Sequence, residues 1–350
     1  MSLSETSARR SRVGTFAAEF CRVRVILLLV FLLPGGVEIG MEAQTKNQYL
    51  TTHHFVRDIA NHPAFKGFGE LILPWDDNSR YYDTRLDHVS ALMPYHGHVN
   101  GDVIVGALNF LITERNAGQT IFYDFYTEQQ KQNDPSKRFT GLFFYRAKPG
   151  TPFAIICPGG GFSYVGSLHE GFPLAREISE RGLNAFVIRY RVGEQRATED
   201  LAAAIAFVLR NSAMLGVAAH GYSLWGSSAG ARMVGNIALR GVSAYGGEDL
   251  SRPSTVVISY TGQTIYSKDF PPTFITVSSD DPIADVATVE RRVRNLRNVG
   301  VEVEYHRYSH AGHGFGLGVG TDAEGWLGIA VDFWKKTLIR TKGSGPAYEH

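Results

Sequence analysis

From residue 140 onward, short apolar runs and amphipathic runs take turns along the chain, and this alternation constrains the fold of the 350-residue sequence more than any other feature. The runs at 142–147 (LFFYRA), 153–157 (FAIIC), 185–190, 221–225, 255–260, 273–277 and 301–308 are rich in β-branched and aromatic residues, which predicts strands. The intervening stretches at 170–181, 198–215, 229–239, 286–298 and 323–336 read as helices, and Gly182 fits a helix C-terminal cap. FAIIC is apolar throughout, as expected of a strand covered on both faces. Successive strands joined through helices form a mainly parallel sheet with helices on both sides, an α/β fold. An aromatic run at 120–127 (TIFYDFYT) predicts one more strand ahead of this series.

The alternation delimits the parts of the chain. Residues 120–340 are expected to form one domain, followed by a disordered tail at 341–350. Residues 46–119 form an N-terminal extension without a repeat, with helices at 55–59 and 103–113, the second capped by Asn100. Arg9, Arg10, Arg12, Arg22 and Arg24 precede or abut an apolar run at 25–33. Nine helical residues rise about 13 Å against a bilayer core of roughly 30 Å, so no transmembrane span is expected. A basic segment before a short apolar run is signal-peptide grammar, and export to the periplasm or the exterior is the favoured reading. Glu5, Glu19 and the lack of a clean cleavage site support the alternative, an extension ahead of an internal start at Met41. With 44% hydrophobic and 20% charged residues the chain is not globally disordered. Its 35 Lys plus Arg against 34 Asp plus Glu leave a net charge of +1, which argues against a nucleic-acid binder. Cys21 and Cys157 cannot build a disulfide framework, and neither has a partner at zinc-ligand spacing.

Four motifs follow predicted strands. Gly226-Ser227-Ser228-Ala229-Gly230 matches G-x-S-x-G between an apolar strand and a helix, the context that gives the pattern its meaning. The two glycines permit a tight turn that holds Ser228 out at the carboxyl end of the sheet, and the spacing selects Ser228 over Ser227. Pro158-Gly159-Gly160-Gly161-Phe162 leaves backbone N–H groups unshielded and able to face a developing oxyanion; the Gly-Lys-Ser/Thr of a phosphate loop is absent. In Ser278-Ser279-Asp280-Asp281-Pro282 a carboxylate, Asp281 with Asp280 as its rival, can orient a histidine. In the glycine-rich stretch 310–316, His313 can reach the sheet edge and exchange a proton with a serine, with His310 nearby as the competitor. The order Ser228, Asp281, His313 is neither that of chymotrypsin nor that of subtilisin. In a parallel sheet the strand ends share one edge, so these distant residues can converge.

The chain resembles an α/β-hydrolase of the esterase/lipase kind, close to the acetyl-esterase and hormone-sensitive-lipase-like groups. PGGGF at 158–162, GSSAG at 226–230, PPTFITVSSDDP at 271–282 and HAGHGFG at 310–316 carry the likeness, which covers about 140–340. The resemblance implies Ser228 as nucleophile, His313 as base, Asp281 as its partner, and Gly160, Gly161 and Ala229 as oxyanion donors, with no cofactor and no metal. Two positions depart from the pattern. The family's usual His before the glycines, which helps to hold that loop, is Pro158 here, and Ser278-Ser279 stands where His-Gly is common.

The short connection at 261–272 leaves no room for a lid, so any cap must come from 46–120. Residues 93–99 (MPYHGHV) are the candidate cover, limiting the site to small substrates; the alternative is a packed extension with ordinary surface histidines. His96 and His98 lack a third ligand for a metal. The expected function is a serine carboxylesterase acting on a small-molecule ester with a short acyl group, acetyl groups on sugars among the candidates. A prolyl-oligopeptidase-type peptidase would need a propeller that about 140 residues cannot build. A non-catalytic binding protein on this scaffold would usually lack the nucleophile or base.

Overall fold

The computed structural model describes residues 48–343. Eight strands form one sheet: β1 (Phe122–Tyr123), β2 (Gly141–Tyr145), β3 (Phe153–Cys157), β4 (Asn184–Arg189), β5 (Ser223–Ser227), β6 (Thr255–Ser259), β7 (Thr273–Ser278) and β8 (Val303–Tyr308). Their order is β1-β2-β4-β3-β5-β6-β7-β8. The six strands from β4 to β8 in this order are mutually parallel, while β2 runs antiparallel to both β1 and β4. The link from β2 to β3 is too short for a crossover, so the chain reverses there and β2 takes the antiparallel place beside β4. Its register sets Phe144 opposite Phe186, with rings stacked at 4.2 Å.

Strands β3 to β7 are buried along their whole length, which accounts for their mostly apolar sequences. Helices Glu194–Arg210 and Ala229–Arg240 pack against each other, and helix Phe172–Glu180 packs against Gly101–Asn116 and Trp326–Gly343. Asn100 caps Gly101–Asn116 by accepting from the Asp102 and Val103 N–H groups. Gly182, at φ +87°, follows helix Phe172–Glu180 in the left-handed conformation that suits glycine.

Three predicted elements differ. The strand expected at 120–127 shrinks to two paired residues, because Thr127 and Gln130 form a capping box that starts helix Glu128–Asn133. The helix expected at 170–181 begins instead with a π-turn, Ser167–Gly171, and continues as Phe172–Glu180. The helix expected at 198–215 starts earlier and breaks at Asn211, whose side chain bonds back to the Phe207 carbonyl.

Residues 48–119 contain short helical turns and one long helix, and their apolar side chains, Leu86, Leu92, Met93, Ile104 and Leu108 among them, join the core built on the sheet. Polar ties reinforce the contact. Buried Arg189, at the end of β4, donates to the carbonyls of Leu73 (3.0 Å) and Pro74 (2.7 Å) and to Asp76 (2.7 Å). The Val165 N–H also donates to Pro74. Among the described residues no helix is long and apolar enough to cross a membrane. The signal-like reading of 1–45, with Cys21 and Met41, lies outside the described residues.

Candidate active site

Each of the four motifs follows the carboxyl end of a parallel strand, so all open on the same edge. Ser228 occupies the turn between β5 and helix Ala229–Arg240, at φ +50° and ψ −114°, a conformation rare for a residue with a Cβ. The turn is closed by its glycines. A Cβ on Gly226 would lie 2.5 Å from the Gly230 carbonyl, and one on Gly230 would lie 1.9 Å from that of Cys157. Ser227 is buried at the end of β5.

His313 places Nε2 2.9 Å from the Ser228 hydroxyl and Nδ1 2.8 Å from Asp281 Oδ2. A carboxylate only accepts, so the Nδ1–H donates to Asp281 and the neutral ring keeps Nε2 free to accept from Ser228. The Asp281 side chain is fully buried, and its Oδ1 also accepts the N–H groups of Ile283 and Ala284, each at 2.8 Å. Asp280 has a different task. Its Oδ1 accepts from the Ser278 hydroxyl and the Gly312 N–H, which holds the carboxyl below its ordinary range and pins the loop that carries His313. The His310 ring is 85% exposed and 3.8 Å from Asp280.

The PGGG loop lies against Ser228: a Cβ on Gly159 would fall 2.9 Å from that of Ser228. Gly160 (φ +129°) and Gly161 (φ +63°) adopt conformations that favour glycine. The Gly159 N–H is occupied, donating to Glu170 at 2.6 Å. Among the described residues the N–H groups of Gly160, Gly161 and Ala229 have no acceptor within the chain. They are unused donors on the loop and the turn that flank Ser228.

Sequence reasoning missed the layer beneath. Glu170, fully buried, accepts from Gly159 and from the Tyr260 hydroxyl (2.8 Å), and lies 3.2 Å from His96 Nε2. Burial alone would raise its carboxyl; the His96 and His169 rings and the Gly159 N–H outweigh that and hold it at about 2. Tyr260 packs edge-on against the His313 ring, with centroids 5.2 Å apart. His169 donates Nε2–H to the Gly314 carbonyl at 2.9 Å, and burial, followed by the nearby His96, pushes it down to about 4. His96 is therefore no surface histidine: its Nδ1 meets the Tyr164 hydroxyl at 2.9 Å, and the adjacent Gly97 N–H donates to the His313 carbonyl. The only sequence signal was the cluster of histidines at 96–98. Among the described residues no group of three or more His, Cys, Asp or Glu is placed to hold a metal ion.

No family model matches the chain. Among solved structures, an acetyl ester-xyloside bifunctional hydrolase from Caldicellulosiruptor lactoaceticus superposes with a TM-score of 0.53 at 22% identity, over 61% of this chain and 95% of that one. A carboxylesterase from Lactobacillus plantarum gives 0.51 at 18% identity, over 57% and 93%. An esterase from Thermogutta terrifontis with propionate bound gives 0.50 at 19%, over 59% and 92%. The chain has the α/β-hydrolase fold, which it shares with these structures. In sequence, 118 residues are 31% identical to the endo-1,4-beta-xylanase B of Butyrivibrio fibrisolvens, covering 30% of this chain and 18% of that protein. The match thus spans less than a fifth of that relative's length.

Proposed function

We propose that the protein is a serine carboxylesterase for short-acyl esters. The observation that carries this reading is the unbroken line of contacts from Ser228 through His313 to Asp281, at 2.9 and 2.8 Å. The Ser228 Oγ attacks the ester carbonyl while His313 Nε2 takes its proton. The carbonyl oxygen becomes an oxyanion facing the N–H groups of Gly160, Gly161 and Ala229. Asp281 stabilises the imidazolium that forms. Collapse breaks the bond to the alcohol oxygen, which leaves with the Nε2 proton, and an acyl-Ser228 remains. Water then attacks the acyl carbon, gives its proton to Nε2, and the acid leaves as the serine recovers its hydrogen. No step requires a cofactor.

The names of the xylan-related relatives make acetylated sugars the first natural substrates to try. A fluorophosphonate probe is expected to add its mass to the wild-type chain and not to Ser228→Ala. A p-nitrophenyl series from acetate to palmitate should peak at the short end. Ser228→Ala should lose at least roughly a thousandfold in kcat. Probe labelling that persists in Ser228→Ala, or turnover of a dipeptide amide but of no short ester, would overturn the assignment.

A further inference from the structure

The reaction above leaves the buried group His96, His169 and Glu170 unused. Residues 169 and 170 are adjacent in the π-turn, a geometry often found beside functional sites, yet they serve two different loops. His169 holds the Gly314 carbonyl, next to His313, and Glu170 holds the Gly159 N–H, next to Gly160. We propose that Glu170, with His96 against it, is a positioning residue that fixes the PGGG loop in its oxyanion-binding form, so that residues 95–97 complete the active site from outside the alternating region. This rests on the esterase reading above.

The loop needs such a tie. Three consecutive glycines have little conformational preference of their own, and Pro158 offers no N–H and no side-chain hydrogen bond to hold them. The carboxylate supplies the restraint from below. Its Oε2 takes the Gly159 N–H and faces His96 Nε2, and its Oε1 takes the Tyr260 hydroxyl. The same side chain thus touches the oxyanion loop on one side and the ring that packs on His313 on the other. His96 is locked in turn by Tyr164, whose hydroxyl also accepts the Tyr95 N–H. There is no slack around it: a Cβ on Gly166 would lie 2.6 Å from His96 Nε2.

Glu170→Gln keeps the shape but offers one acceptor oxygen to three donors, and it turns amide N–H groups towards groups that donate to the native carboxylate. The loop should then sample forms in which the Gly160 and Gly161 N–H groups miss the oxyanion. An oxyanion contact is made in the transition state and not in the ground state, so the loss should fall on kcat. Kinetics are measured on the full chain with p-nitrophenyl acetate, each preparation normalised to active sites by its burst. We expect Glu170→Gln to lower kcat per titrated site by at least roughly tenfold, with KM within about threefold. The affinity for a trifluoromethyl ketone, which binds as a hemiketal oxyanion, should fall by a similar factor. His96→Phe, which leaves Glu170 its other two donors, should show the same pattern at smaller size and stands in should Glu170→Gln not fold. Wild-type kcat per titrated site in a folded variant, with loss confined to melting temperature or to the fraction titrated, overturns the proposal. Failure of the underlying reading looks different: the wild-type chain itself would show no burst and no labelling at Ser228, and both ideas would fall together.

Discussion

Residues 120–340 and residues 48–119 send apolar side chains into the same core by different routes. The first region does so by periodicity: strands buried end to end alternate with helices, and chemistry-bearing loops emerge where each parallel strand stops. The second has little periodic structure before Gly101 and is held by individual long-range ties, such as Arg189 to Leu73 and Pro74, Asn109 to the Leu50 backbone, and Gly97 to His313. A repeating region can place residues far apart in sequence at one rim without any of them being special. An irregular region contributes through single contacts, and each such contact is costly to lose.

The comparison breaks most visibly if the irregular region is dispensable. Deleting residues 48–119 should give no soluble folded protein, because it strips the cover from the core, takes every acceptor from Arg189 and takes His96 from Glu170. A folded, active remnant in circular dichroism and ester assays would show that the second region is only decoration. Next in size is a contrast within the first region. Asp281→Asn should lower kcat by at least roughly a hundredfold, since an amide there no longer fixes the imidazole tautomer. Asp280→Asn should cost much less, because it loosens the Gly312 tie and leaves Asp281 in place. The reverse ranking would reassign the carboxylate.

Arg189→Met tests a single tie. It leaves the Leu73 carbonyl without a donor and takes one of two from Pro74, and should destabilise the protein by about 2–4 kcal/mol in urea unfolding, with kcat of the folded fraction little changed. Acid tests the layer beneath the rim. His169 is held at about 4 against an ordinary 6.5, so the unfolded chain takes up its proton first as pH falls. The stability tied to its neutral ring is complete above pH 6.5 and drains away towards pH 4. Glu170, at about 2 against 4.5, adds a second loss in the same direction below pH 4.5. His169→Gln should flatten the upper window and shrink the lower one, since the His169 ring helps to hold Glu170 down, as read by melting temperature against pH.

Most of the rim was legible in the sequence because its signals are local. Gly226 and Gly230 announce a turn in which no Cβ fits, and Asn100 announces a helix start. The choice between Asp280 and Asp281 was harder, since adjacent carboxylates differ only in where the turn aims them; the Ile283 and Ala284 N–H groups hold the Asp281 side chain against His313. The strand expected at 120–127 failed because aromatic content outweighed the Thr127–Gln130 cap signal, which a reading by spacing would have found. Glu170 and His96 were illegible for a deeper reason. They are 74 residues apart, on segments without a common period, and only the packed structure makes them neighbours at 3.2 Å.

The backbone of Ser228 carries a cost of its own. A side-chain-bearing residue at φ +50° and ψ −114° sits where only glycine is comfortable, and the surrounding turn must keep it there. Exchanging that serine for glycine removes the hydroxyl and lets the kink relax at once. The inert protein so made should be sturdier than the working one, which places durability and activity in direct opposition at a single position.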